Sequence, residues 1–157
     1  MNPQIEQLKS CYLFDNLDES ELELICKQFT LREFEANDVL IQENDKSDCT
    51  YVLLEGTVRI EIQSADGERQ EEITKLKAND IVGEFILARN ARRSATITAV
   101  TDLKTCESNR DSLIRLFDKN PKIGYLVYKN LSEILVDRIK GTNMAARNAL
   151  GLSIRMI

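Results

Sequence analysis

Histidine is absent from all 157 residues. That removes Ser-His-Asp and Cys-His catalysis, histidine haem ligation and most zinc chemistry. The four cysteines, Cys11, Cys26, Cys49 and Cys106, stand far apart with no C-x-x-C pair. Reduced, buried thiols in a cytoplasm are expected from that spacing. No apolar run approaches a membrane span, and the opening MNPQIEQLKS is too polar to read as a signal peptide. An excess of positive charge is also missing. The formal net charge of −5 argues against nucleic-acid binding through a bulk field. These absences leave a cytoplasmic binding protein ahead of an enzyme.

The hydrophobic content of 43% and charged content of 30% suit one soluble domain large enough to bury a core. Asn2-Pro3 starts a short helix through Lys9, with asparagine as cap and proline at the first position. Asp18 and Glu21 form an acidic capping box for an amphipathic helix over 19–29, with Leu22, Ile25, Cys26 and Phe29 inward. The period then changes to two. Strands are expected at 31–34, 39–41, 51–54, 57–63, 69–75, 80–82, 94–99 and 103–108, with a hairpin at Asp66-Gly67. Asn37-Asp38, Asn44-Asp45 and Asn79-Asp80 mark strand boundaries, asparagine being the non-glycine residue that best tolerates positive φ.

Many short strands imply a mainly β, antiparallel double-sheet, jelly-roll-like barrel (about 30–109) with N-terminal helices and a long C-terminal helix. Lack of histidine excludes the metal-dependent cupin enzymes that share such an architecture. A helix over 110–118 precedes Asn120-Pro121. A long one follows from Lys122, carrying Ile123, Val127, Leu131, Ile134, Leu135 and Ile139 in a packing stripe. Gly141 is expected to weaken or interrupt it. The domain reads as 1–145, and 146–157 reads as a short basic tail, too short for a helix-turn-helix of its own.

The chemistry concentrates in Ile81 to Ala99, IVGEFILARNARRSATITA. Gly83-Glu84 precedes a short apolar run (Phe85, Ile86, Leu87, Ala88), and Arg92-Arg93-Ser94 precedes a strand-like alternation. Turn, short helix, basic loop and strand follow in that order. A helix start offers unpaired N–H groups to an anion, and a returning arginine adds paired donors. A carboxylate beside them suits ribose hydroxyls, so the set points to a nucleotide. Taken singly, Gly83-Glu84 is also what a turn and a solvated helix start look like, and Arg92 reads as surface charge.

With Gly83, Glu84, Arg93, Ser94 and Ala95 at their spacing, the stretch resembles the phosphate-binding cassette of the cyclic nucleotide-binding domain family. The likeness covers roughly 13–145. It is strongest to the sensor half of the catabolite activator and Fnr-type bacterial regulators, whose DNA-binding half has no counterpart expected in this sequence. The family usually carries Gly-Asp where this chain has Asn-Asp. An iron–sulfur sensor, known among relatives, would need clustered cysteines and is disfavoured.

The resemblance implies a sensor for a 3′,5′-cyclic purine nucleotide, cyclic AMP ahead of cyclic GMP because Ser94 stands where cyclic GMP-selective members often carry threonine. Glu84 would accept from the ribose 2′-hydroxyl. Backbone N–H groups from Gly83 through Phe85 to Ile86, together with Ser94, would hold the phosphate, and Arg93 would neutralise it. Thr142 and Asn143 would meet the base, partly across a homodimer formed through the C-terminal helix. Partners would be the nucleotide, a second copy and a protein effector, with no cofactor, direct nucleic-acid contact or membrane. Two other readings are a protein-interaction module that has lost its ligand and a sensor of another anion such as cyclic di-GMP. A third makes the basic tail an aid to a partner on DNA.

Overall fold

Two four-stranded antiparallel sheets face each other, and helices cover one of them. The computed structural model describes residues 3–89 and 92–151. Its order is α1 (Pro3–Lys9), a 3-10 turn (Tyr12–Phe14), α2 (Glu19–Cys26), β1 (Thr30–Phe34), β2 (Val39–Ile41), β3 (Cys49–Glu55), β4 (Thr57–Gln63), β5 (Gln70–Lys77) and β6 (Ile81–Val82). There follow α3 (Phe85–Ala88), β7 (Thr96–Ala99), β8 (Leu103–Asn109), α4 (Arg110–Lys119) and α5 (Pro121–Leu150). One sheet runs β1-β8-β3-β6 and the other β2-β7-β4-β5. This is the mainly β, jelly-roll-like architecture that the strand spacing implies.

β3 reads as an uninterrupted apolar run because both its faces are buried. Tyr51 and Leu53 point between the sheets with Val58, Val82, Ile97 and Leu103. Val52 and Leu54 point the other way, into a second core shared with Leu8, Leu13, Ile25 and Leu113. β5 is the opposite case. It is an edge strand, almost wholly exposed, whose sequence QEEITKLK mixes both charges.

The asparagine turns behave as their chemistry predicts. Asn37, Asn44 and Asn79 hold φ of 75, 70 and 76°. The aspartate carboxylates of two turns accept backbone N–H groups, Asp38 from Glu35 at 2.8 Å and Asp80 from Lys77 at 3.0 Å. The Asp18–Glu21 capping box forms in both directions. α2 stops at Cys26, short of the expected Phe29, and the 3-10 turn was not legible from periodicity.

α5 corrects one expectation. It runs without a break through Gly141 to Leu150, so the first residues of the segment 146–157 are helical, while 152–157 lie outside the described residues, as does Asn2. A glycine costs only about 1 kcal/mol against alanine, too little to stop a helix anchored elsewhere. The anchor is visible. Asn130, buried in α5, donates from Nδ2 to the carbonyls of Leu13 and Asp15 at 3.0 and 2.9 Å, pinning the helix to the 3-10 turn. Ile123, Val127 and Leu131 of the expected stripe are buried, whereas Ile139 and every residue from Lys140 to Leu150 are exposed.

Candidate ligand-binding site

β6 pairs with β3 through Tyr51↔Val82 and Val52↔Ile81, which delivers Gly83 and Glu84 to the mouth of the roll. Gly83 sits at φ +75°, where a side chain is disfavoured. A Cβ there would lie 3.0 Å from Arg93 Nη1 and 2.9 Å from the Cys49 carbonyl, so only glycine lets the arginine lie this close.

Arg93 is buried and its guanidinium is pre-set by three acceptors. Nε donates to Ser47 Oγ at 2.9 Å, Nη1 to the Gly83 carbonyl at 3.2 Å and Nη2 to the Cys49 carbonyl. Its backbone is tied to the loop 44–48 as well, Arg93 N–H to Asp45 O and Asn44 N–H to Arg93 O, both at 2.9 Å. Burial pulls its pKa below the usual value for a guanidinium.

Glu84, 4% exposed, pairs with Arg138 of α5. The same arginine donates from Nη2 to the Ile81 carbonyl at 2.6 Å. The C-terminal helix therefore grips both the strand before the cassette and its carboxylate. Sequence reading missed Arg138, although a signal was present. Asn130, Ile134, Arg138 and Thr142 follow at steps of four, the spacing of one helix face.

A cavity of about 880 Å³ opens between the roll and α5. Gly83, Glu84, Phe85, Ile86, Arg93, Ser94 and Thr142 all line it, and Asn143, exposed, does not. Phe85 is half-exposed and Ile86 buried. Ser94 is exposed in the loop two residues before β7, which begins at Thr96 and not at 94 as expected. The Thr142 hydroxyl donates to the Arg138 carbonyl at 3.0 Å, so its proton is committed and its oxygen can still accept. The opposite wall is apolar, with Ile41, Ile60, Ile62, Ile73, Leu76 and Ile97. Four arginines (89, 92, 93 and 138) and three carboxylates (Asp80, Glu84, Asp137) make the charged lining, positive by one. Cys11 also lines it, but burial pushes its thiol up to about 12. Burial and the Glu107 carboxylate push Cys49 up to about 11. Neither thiol supplies a nucleophile at neutral pH.

A buried arginine, a buried carboxylate and an apolar slot stand in one cavity, and comparison with known proteins places the chain in a family. The model of the cyclic nucleotide-binding domain matches residues 31–120. The chain belongs to that family. It is 24% identical over 138 residues, 88% of its length, to the CRP-like cAMP-activated global transcriptional regulator of Mycobacterium tuberculosis, and spans 59% of that regulator. It superposes with a TM-score of 0.81 on the crystal structure of a cyclic nucleotide-binding domain from Methylobacillus flagellatus, at 23% identity over 98% of this chain and 85% of that one. The regulatory domain of Toxoplasma gondii PKA, crystallised with cAMP, gives 0.66 at 28% identity, covering 72% of this chain and 42% of that one. Among the described residues no helix is long and apolar enough to cross a membrane.

Proposed function

We propose that this cyclic nucleotide-binding domain is a non-catalytic sensor of a cyclic purine mononucleotide, cyclic AMP before cyclic GMP. The observation that carries the reading is the convergence of Gly83, Glu84, Arg93 and Ser94 with Arg138 and Thr142 of α5 on one cavity. Arg93 would meet the phosphate with the N–H groups not already committed, five being available on a guanidinium. Backbone N–H groups at Gly83 to Ile86 and the Ser94 hydroxyl would add donors. Glu84 would accept from the ribose 2′-hydroxyl, since a carboxylate has about four lone-pair sites and Arg138 does not fill them. The base would lie on the isoleucine wall.

Charge supports a cyclic monophosphate over other anions. A lining positive by one balances a single phosphodiester. It leaves a linear phosphate monoester, about −1.5 to −2 near pH 7, under-neutralised. The same argument disfavours cyclic di-GMP, with two phosphodiesters. Titration calorimetry with cyclic AMP, cyclic GMP and 5′-AMP tests this directly. Micromolar or tighter binding of a cyclic nucleotide, at least tenfold weaker for the linear one, is the expected result. Silence from all three in folded protein removes the reading and leaves an interaction module on this fold.

The output would be a homodimer through α5 and then a protein effector, in the cytoplasm. At 100° per residue, Val136, Ile139, Asn143, Ala146 and Leu150 fall on a heptad row roughly 140° around α5 from the row that faces the cavity. Val136, Ile139 and Leu150 are exposed in one chain. Asn143, off the cavity, would face its own copy in a parallel pair and fix the register. Sedimentation should show a dimer at micromolar concentration and a monomer for Ile139→Asp. A monomeric wild type at tens of micromolar, with and without nucleotide, would count against the pairing.

A further inference from the structure

α3 has only four residues, Phe85–Ala88, so its last carbonyls have no room for partners inside the helix. Two of them, those of Ile86 and Leu87, accept from the C-terminal helices. Arg110, first residue of α4, donates from Nε to the Ile86 carbonyl at 2.8 Å. Tyr128 of α5 donates its hydroxyl to the Leu87 carbonyl, also at 2.8 Å. A cation at a helix C-terminus also opposes the helix dipole. Arg110 also holds the loop behind Arg93, its backbone N–H reaching the Asp48 carbonyl at 3.0 Å. Asp48 lies in the 44–48 loop, whose Ser47 and whose neighbour Cys49, first residue of β3, orient Arg93. The Tyr128 ring stacks edge-on against Phe117 of α4 with centroids 5.7 Å apart. At the same elbow a Cβ on Gly124 would lie 2.9 Å from Phe117 Cβ, so α4 and α5 meet without slack.

We infer that Arg110 and Tyr128 form a clamp through which the cassette and the α4–α5 pair move as one body. They are positioning residues. Neither lines the cavity, and each acts through the backbone of α3 or of the loop that carries the arginine contacts. A helix of four residues is a rod about 6 Å long, so whatever shifts its Glu84 end displaces the two clamped carbonyls as well. The hydrogen bonds then make the position of α5 depend on occupancy of the cavity. By linkage they make affinity depend on the docking of α5. This second step rests on the sensor reading; the clamp itself does not.

Hydrogen exchange on Tyr128→Phe and Arg110→Gln separates the two, with Arg115→Gln on the exposed face of α4 as control. Without ligand, the Leu87 and Arg89 amides should exchange about threefold to tenfold faster in either clamp variant, the range that one lost hydrogen bond gives. Amides of β3 and β8 should keep their wild-type rates. With saturating cyclic AMP, protection gained over 134–145 in wild type should be largely lost in Tyr128→Phe even though the nucleotide still binds. Wild-type exchange in α3 for both variants, or full ligand protection of α5 in both, overturns the clamp. If wild-type protein binds no nucleotide, the sensor reading fails and the ligand-free comparison still decides the clamp.

Discussion

Arg93→Ala should lose at least tenfold, and up to about a hundredfold, in affinity for the cyclic nucleotide, the range expected when a charged hydrogen bond of about 1.5–3 kcal/mol disappears. The loss should come with a lower melting temperature, because Arg93 is more than a ligand donor. Its removal strips the Gly83 and Cys49 carbonyls and Ser47 Oγ of the donor that satisfies them. Ser47 is exposed and Gly83 and Cys49 are half-buried, so water can replace part of what Arg93 donates and each orphaned acceptor should cost no more than about 1 kcal/mol, the low end for a lost partner. Arg93→Lys separates the two effects. An ammonium keeps the charge but cannot span three acceptors arranged for a planar fork, so it should recover part of the affinity and little of the stability. Calorimetry and thermal melts on both variants check this. Affinity within twofold of wild type for Arg93→Ala would remove the arginine from the site.

Gly83→Ala should be the more destructive change for its size, since it adds one methyl group. At φ +75° an L-residue costs about 1–2 kcal/mol. The new Cβ would stand 2.8 Å from Ile41 Cδ1 and 2.9 Å from the Cys49 carbonyl. The isoleucine tip can turn aside, but the carbonyl belongs to β3 and cannot. Overpacking adds about 1–3 kcal/mol, so about 2–5 kcal/mol in total is expected as a lower denaturant midpoint at unchanged slope. Arg93, 3.0 Å away on the third side, must also give way, and affinity should fall beyond what instability explains. Gly56→Ala is the control. Gly56 has φ +92° and a Cβ there would collide with the Asp102 carbonyl, but it does not line the cavity. It should cost stability and leave the affinity of the folded fraction intact. A midpoint for Gly83→Ala equal to wild type would contradict the crowding argument.

What the sequence revealed and what it hid divide along a physical line. Local chemistry was legible. Asp18 capped α2, the asparagine turns took positive φ, and strand spacing gave the double sheet, because each depends on residues a few positions apart. The cassette was legible because its carboxylate and arginine lie within one short stretch. Partners reached across the fold were not. Arg138 meets Glu84 from 54 residues away, and Ser47 meets Arg93 from 46. Nothing in either side chain's own neighbourhood announces that pairing. The unbroken α5 was misjudged for a related reason: glycine's propensity cost was read locally, while the grip of Asn130 and Arg138 that outweighs it is tertiary.

The outer strands bear on how this protein meets others. β1 and β5 each sit at the rim of a sheet and are exposed along almost their whole length. Their open hydrogen-bonding edges are a standing invitation to a foreign strand. Thr-Leu-Arg-Glu in β1 and the run of glutamates and lysines in β5 answer it, because any added strand would have to cover charges. Growth by sheet extension is thereby discouraged at these two rims. The far end of the C-terminal helix offers a different surface, where Ile139, Met144 and Leu150 stand exposed among polar side chains on a backbone with no edge to extend.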